Sequence, residues 1–592
     1  MNQEKYKEID NNLEIANNIL NIIEKSYTTR ARKSRIPFDK QFEMVNDIFL
    51  LLKSCEEDRK KTGNYFIKRF IPLLDLLIKI DSDKTHILKY LEYLKESYKI
   101  SARISLHHYM VYREWDERDK FYEPRYETLK GYIHFLEKLE IDPNFHTLIC
   151  NMPSGYGKTF PAKISESWGF GQDPTGTFLS LCSNDDVVKA GSTTCKDELK
   201  TKHFGEVFPE MAYSEDDKNY FTKDTEALWK LKQGKLANSY IAKTTSSNTV
   251  GNRASKRIHI DDLYPNHREA LNQKTNQDFY NDYLMVWYKR FVQNKIPKIL
   301  ITGTLWASGD FIDLIINLMK KRHKFKAHPI YKWCYVSEDG STAIVQIPAL
   351  DYESGLSTMP KVRPTSEILK EKASMEPYLF QTNFQQKPTD PESLFFSYNK
   401  LKTFETYPKC DYTGTWSVID ANRKSGKDNF SMPIFGKRIV DNVSIYPLKD
   451  VLFTKVATKD LYEDIVDKIK QHRIIYLVIE SNVAPELASN LKRLLKLQNI
   501  TYCEIVEKYT TGNKKVRIED QKGNIIKRFE FPKRDNYPTN SQMANFMDNL
   551  TLYNNSGTNP TDDAPDSIAI FGQEIIEEAS KPQKAIPMQR IF

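Results

Sequence analysis

Along residues 1–108 apolar positions recur at helical spacing, as in "NNLEIANNILNIIEKS" and "THILKYLEYLKESYKI", and glycine hardly interrupts them. A stripe of Leu and Ile every three or four residues, with Lys and Glu between, gives each helix one face to bury, so this stretch predicts a helical N-terminal extension. From about Tyr109 the period changes. Short β-prone runs, "FHTLICN", "TGTFLSLCS", "RIHIDD" and "PKILITGT", are bounded by turn residues and mostly followed by helical spacing. That alternation predicts a parallel sheet with crossover helices over residues 109–386. The prolines of "QQKPTDPESLFF" break both periods and place a boundary there, with residues 387–410 as a linker. Over residues 411–577 the runs "GTWSVIDAN", "SMPIFGKRIV", "VSIYPLKDVLF" and "RIIYLVIES" alternate with helical patterns and predict a second α/β domain. The remaining residues 578–592 form a basic, proline-containing tail expected to be loose. No internal repeat is present.

At 592 residues and 40% hydrophobic content the chain can fill several large cores. Its formal charge of +8 is a mild excess that fits a polyanionic partner. The excess gathers in "KKRHKFK", "KYTTGNKKVR" and "KRFEFPKR", each of which reads equally as a solvated face. Seven scattered cysteines without a C-x-x-C pair argue against zinc sites and a disulfide framework, and point to a reducing, cytosolic setting. The N-terminus "MNQEKYKEIDNN" has no basic-then-apolar signal pattern, and stretches such as "IPLLDLLIKI" are too short and too charged for a bilayer, so no membrane role is expected.

"CNMPSGYGKTF" follows directly on an apolar run and is a degenerate phosphate loop. Gly157, Lys158 and Thr159 fit G-x-x-x-x-G-K-[ST], but Met152 stands at the first glycine and Gly155 is the other flexible position. In such a loop the backbone of Ser154, Gly155, Tyr156 and Gly157 curls round phosphates, the Lys reaches the β/γ-phosphates of ATP, and the Thr hydroxyl ligates Mg²⁺. "RIHIDDLYP" is a strand ending in Asp261 and Asp262, the first suited to hold Mg²⁺ and the second to orient attacking water, or else a helix cap. "KILITGTLWASGD" is a further strand ending in Thr302, Gly303 and Thr304, suited to sensing a γ-phosphate. Arg253 in "TVGNRAS" reads as an arginine finger or a surface ion pair; Arg125 in "FYEPRYETL" reads as an adenine-stacking residue or a packed helix start.

Beyond the boundary, "WSVIDANRKSGKDNF" delivers Asp420 at a strand end and runs toward a hairpin holding Asp428; "IIYLVIESNV" delivers Glu480; "TDDAPDSIAIFGQEI" sets Asp563 and Asp566 one helical turn apart. Carboxylates converging without His or Cys suit hard ions, two Mg²⁺ or Mn²⁺, able to clamp both oxygens of a phosphodiester. The order Asp strand, Glu strand, Asp-x-x-Asp helix is that of RNase H-like nucleases. The basic stretches at residues 514–517 and 527–534 then read as DNA backbone contacts.

A P-loop NTPase of the ASCE type followed by an RNase H-like nuclease resembles the large terminase subunit of tailed bacteriophages over roughly residues 109–577, and "VFPEM", "TVGNRAS", "IPALD", "FQTNFQQKP" and "TDDAPDSIA" resemble linking stretches of that family. The resemblance implies an ATP-driven motor for double-stranded viral DNA, in the host cytoplasm and docked on the prohead portal protein. It also implies a ring, a pentamer when assembled and possible as a monomer in solution, and a small terminase subunit as partner. It makes Lys158 and Thr159 the phosphate-loop pair, Asp261 the Mg²⁺ acid, Asp262 the catalytic carboxylate, residues 302–304 the coupling motif, and Asp420, Glu480, Asp563 and Asp566 the nuclease ligands. Two positions depart from the family: Tyr156 stands where an Arg is common, and the second acid is often Glu, which leaves Glu269 as an alternative to Asp262. Residues 1–108 match no part of the family core. Two other classes fit less of the chain, a repair or recombination ATPase-nuclease and a non-catalytic capsid-assembly scaffold.

Overall fold

The structure, a computed structural model, describes residues 3–28, 36–55, 58–245, 247, 251–293, 295–389, 394–422, 428–480, 486–509, 513–538, 541–554 and 562–577. The expected tail 578–592 lies outside them. The chain divides into two compact units, Met1–Thr365 with Asn383–Pro388, and Ser366–Thr382 with Thr389–Phe592. Residues 366–382 therefore pack with the second unit although they precede the proline-bearing connector; Lys372, for instance, pairs with Asp548 at 2.8 Å.

The first unit begins with the expected helices, Gln3–Thr28, Phe38–Ser54, Arg59–Tyr65, Ile71–Ile80, Lys84–Ala102 and Leu106–Arg113. The stripes of the first five meet in one core that includes Leu20, Ile23, Val45, Ile48, Phe66, Leu74 and Tyr90. The bundle is fastened to the helices Thr159–Gln172 and Asp185–Lys200 that follow: the Trp168 indole donates to the Ala102 carbonyl at 2.8 Å, and Arg113 pairs with Glu198 at 2.7 Å.

That sheet has ten strands: β1 (Thr147–Asn151), β2 (Phe178–Cys182), β3 (Phe221–Asp224), β4 (Leu228–Leu231), β5 (Tyr240–Thr244), β6 (Arg257–Asp261), β7 (Ile299–Gly303), β8 (Phe325–Ala327), β9 (Cys334–Ser337) and β10 (Thr342–Gln346). Their order is β3-β4-β5-β2-β6-β7-β1-β10-β9-β8. The run from β5 through β10 is parallel throughout. β1, β2, β6 and β7 are buried at every position, which is why their apolar runs do not alternate. One strand, β7, lies between the loop-bearing β1 and the acid-bearing β6. The order β10-β1-β7-β6-β2 is that of the ASCE P-loop fold.

The second unit is built on seven strands: β11 (Lys402–Phe404), β12 (Gly414–Ile419), β13 (Phe430–Val440), β14 (Val443–Thr454), β15 (Tyr476–Glu480), β16 (Glu504–Lys508) and β17 (Phe529–Pro532), in the order β11-β17-β14-β13-β12-β15-β16. β13 runs antiparallel to both β12 and β14, whereas β12, β15 and β16 are parallel. The core order β14-β13-β12-β15-β16 is the RNase H-like arrangement. The long β13–β14 hairpin turns on Asp441 and Asn442, at φ +49° and +61°, the left-handed pair that a two-residue turn requires.

Candidate active sites

β1 leads into residues 152–158, and the helix Thr159–Gln172 begins at once. Gly155 and Gly157 sit at φ +79° and +97°, where a side chain would be strained. A Cβ on Gly157 would also lie 2.6 Å from the Phe121 ring. Glycine there lets Phe121 and Arg125 cover the loop; the Arg125 guanidinium lies 4.2 Å from the Phe121 ring centre and donates to the Phe121 carbonyl at 2.8 Å. Tyr156 is buried, its hydroxyl 3.5 Å from the Ala349 carbonyl, while Ser154 is exposed.

Three strand ends come into line through the register pairs Asn151↔Gly303 and Asp261↔Thr302. Lys158 is buried, and its ammonium donates to the Thr304 hydroxyl at 2.9 Å and lies 3.4 Å from Asp262. The hydroxyls of Thr302 and Thr159 both point at Asp261 Oδ1, at 2.5 and 3.5 Å. Asp262 takes a left-handed φ of +39°, which Asp tolerates better than most residues. That turn aims its carboxylate at Lys158 and at the Thr304 amide, 3.3 Å away. Burial raises the Asp262 pKa, and Lys158 pulls it back. The structure thus brings Lys158, Thr159, Asp261, Asp262, Thr302, Gly303 and Thr304 together. It does not bring Glu269, which is exposed and exchanges capping hydrogen bonds with Asn266 at 3.2 and 3.4 Å. Arg253 is exposed on the segment leading to β6.

Beneath this site lies a charged layer that sequence reasoning missed. Lys163 donates to Ser180 at 2.8 Å and Tyr240 at 3.1 Å; Glu166 faces His259 at 2.8 Å and Arg257 at 3.6 Å; His259 Nε2 is 2.8 Å from the Thr302 hydroxyl. All four charged or ionisable groups are buried. Burial pushes the Glu166 pKa up, but Lys163, His259 and Arg257 outweigh it and hold the carboxyl well below its ordinary range. The signal was present: a His in the middle of an apolar strand, and Lys-x-x-Glu on a helix whose residues 161–171 are all buried. Glu166→Ala would leave buried Lys163 without its carboxylate, while Arg257 keeps Glu140 at 3.0 Å, so a loss of about 3–5 kcal/mol in unfolding free energy is expected by urea titration. A loss below about 1 kcal/mol would mean that the layer is not held by Glu166.

In the second unit the register Ile419↔Ile479 sets Asp420 beside Glu480, since each is the next residue along its strand. Asp563 and Asp566 stand in the first turn of the helix Asp563–Phe571. All four acids are buried. Asp563 accepts from the Asn429 amide and side chain, both at 2.9 Å. The helix Lys514–Arg528 supplies two cations. Arg517 grips Asp566 with two donors at 2.8 Å and reaches Glu480 at 3.4 Å; the Lys514 ammonium lies 3.1 Å from Asp566 and 3.5 Å from Asp420. Burial raises the pKa values of Asp420, Glu480 and Asp563; Lys514 and Arg517 oppose it at Asp420 and Glu480, and Asn429 opposes it at Asp563. Asp428 is exposed, and it is the carbonyl of this residue that accepts from Asn422, at 3.1 Å.

The basic stretches are also used differently from the sequence reading. Lys514 and Arg517 serve the acids, Arg534 is buried against Asp548 at 2.7 Å, and Lys533 pairs with Glu405, leaving Lys515 and Lys527 exposed. Among the described residues no three His, Cys, Asp or Glu side chains stand close enough to hold one metal ion. The donor set nevertheless fits hard cations. Four buried carboxyl groups face two cations, so among the described residues the buried acids outnumber the cations beside them, and every donor atom is oxygen. In the first unit the Thr159 hydroxyl and Asp261 fit Mg²⁺ in the same way.

No protein-family model matches the chain, and neither does any curated protein. Among solved structures the chain is similar to the large terminase from a thermophilic bacteriophage in complex with ADP, at 10% identity and a TM-score of 0.26 over 75% of this chain and 99% of that one. It is similar to the P22 large terminase nuclease domain at 10% identity and a TM-score of 0.22, covering 30% of this chain and 89% of that one. A third similar structure is the Phi-28 gp11 DNA packaging motor, at 10% identity and a TM-score of 0.25 over 72% and 98% of the two chains.

Proposed function

We propose that the chain is the ATP-hydrolysing and DNA-cutting subunit of a viral DNA-packaging motor. One observation carries the reading: a single chain holds a Lys158–Asp261–Asp262 cluster at the strand ends of an ASCE-ordered sheet and a carboxylate cluster at the strand ends of an RNase H-ordered sheet. The first arrangement suits phosphoryl transfer and the second phosphodiester cleavage.

In the ATPase site the residue 152–158 backbone and the start of the helix Thr159–Gln172 receive the phosphates, and Lys158 exchanges Asp262 and Thr304 for the β/γ oxygens. Mg²⁺ held by Thr159 and Asp261 would supply charge neutralisation at those oxygens. Asp262, freed from Lys158, orients the attacking water, while Thr302 and Thr304 connect the phosphate site to β7. Phe121 and Arg125 form a platform for the adenine. Arg253, exposed, is the candidate arginine finger for a neighbouring subunit of a ring assembled on the portal, and the helical extension is the candidate contact for a small terminase subunit. In the nuclease site Asp420, Glu480 and Asp563 would hold two Mg²⁺ or Mn²⁺, which supply Lewis-acid stabilisation to the phosphodiester. Asp566, gripped by Arg517, sets the position of the helix bearing Asp563.

A repair helicase-nuclease needs a second motor sheet with its own arginine motif, and the described residues hold none. A scaffold needs neither cluster. The test is DNA-stimulated ATP hydrolysis together with divalent-dependent cutting of duplex DNA, followed by ATP-driven uptake of DNA into portal-bearing proheads. A chain that hydrolyses ATP at the same rate with and without DNA would not be this motor. Within the ATPase site, Asp262→Asn is expected to lower kcat by about 10²-fold or more, whereas Glu269→Gln, altering only an exposed cap, stays within about twofold. The reverse result would transfer the catalytic role to Glu269.

A further inference from the structure

The two cations on the helix Lys514–Arg528 differ in how they are held. Arg517 is 6% exposed, and its planar fork is locked onto Asp566 by two parallel bonds. The Lys514 side chain is 43% exposed and stands at the first residue of the helix, with Asp566 at 3.1 Å, Asp420 at 3.5 Å and Asp562 at 3.7 Å. A point charge shared among three carboxylates on a flexible four-carbon stem can leave by rotating its own side chain, without moving the helix. Asp420 is buried and its Oδ2 faces Lys514, so the ammonium stands against a carboxylate that a metal ion in this site would need.

Resting on the reading of Asp420, Glu480 and Asp563 as a divalent-cation site, we propose that the Lys514 ammonium is a built-in counter-ion of that site, and that a divalent cation binds by displacing it. Arg517 stays in place through the exchange and holds the helix carrying Asp563 and Asp566. Lys514 keeps the metal-free acids from repelling one another, and it sets a threshold that the metal must overcome. Once displaced, its charge stands at the mouth of the site, where a nucleic-acid phosphate would meet it.

The experiment titrates the full-length protein with Mn²⁺ alone, without nucleotide or DNA, and takes as the nuclease-site signal that part of the binding which Asp420→Asn removes. Lys514→Met and Lys514→Gln are expected to tighten this binding about tenfold, because the ion no longer competes with a charge-assisted hydrogen bond. Lys514→Arg, which keeps the charge, should remain near the parent affinity. Without metal the Met variant should melt below the parent, and saturating Mn²⁺ should close the gap. Parent-like Mn²⁺ affinity in both the Met and Gln variants would overturn the proposal while leaving the metal site standing. If Asp420→Asn removes no Mn²⁺ binding at all, the carboxylates are not a metal site, and the proposal falls with that reading.

Discussion

Lys158→Ala is expected to abolish ATP hydrolysis, with a fall of roughly 10³-fold or more in kcat, while cleavage of DNA by the second unit continues. Lys158 is buried and sits between Thr304 and Asp262 at the shared end of β1, β6 and β7, where its ammonium is the charge held against the phosphate position. Its removal also leaves the half-buried Asp262 without its counter-charge, and the Asp262 carboxyl then tends toward its neutral form, unable to accept a hydrogen bond from water as an anion. Both effects act on the chemical step, whereas the loop glycines and the Phe121–Arg125 platform remain to bind nucleotide. The measurement is ATP turnover beside ADP affinity on the same preparation. Parent turnover would dismiss the loop assignment; a variant that loses ADP binding and melts early would show only that Lys158 supports the fold.

The strands and the acids at their ends were legible in the sequence because buried parallel strands write themselves as unbroken apolar runs, and "RIHIDD" and "IIYLVIE" end in carboxylates. What was not legible is what depends on distant pairing or on a single torsion. Nothing in "NKKVR" says that Lys514 and Arg517 will meet acids far along the chain, because Arg517 and Asp566 are 49 residues apart. A basic stretch and a buried counter-ion pair look alike until the fold closes. The positive φ of Asp262 is likewise invisible locally, yet it decides that this acid, and not Glu269, faces Lys158. For Glu269 a signal did exist. "NHRE" has the Asn-x-x-Glu spacing of a helix start, and the structure uses Asn266 as the N-cap, accepting from the Glu269 amide while its side chain donates to the Glu269 carboxylate. Asp428 fails for a related reason: its neighbour Asn429, not Asp428, donates to Asp563.

Asp420→Asn should remove divalent-dependent cutting of duplex DNA by roughly 10³-fold or more and leave ATP hydrolysis near the parent rate. Burial pushes the proton affinity of Asp420 up, and Asp566, Glu480 and Asp563, all of its own sign, add to it, with Lys514 the opposing charge. A carboxylate held under such repulsion is not there for stability. Replacing it with a neutral amide of the same shape relieves the excess of four acids over two cations, so the metal-free variant should melt at or above the parent temperature. Adding Mn²⁺ should raise the melting temperature of the parent and leave that of the variant nearly unchanged, since stabilisation by a ligand requires that the folded state bind it. The two readings together separate a lost site from a lost fold. An Asp420→Asn protein that still cuts DNA with Mn²⁺ would move the nuclease elsewhere in the chain, and one that melts well below the parent without metal would make Asp420 a structural partner of Lys514 instead of a ligand.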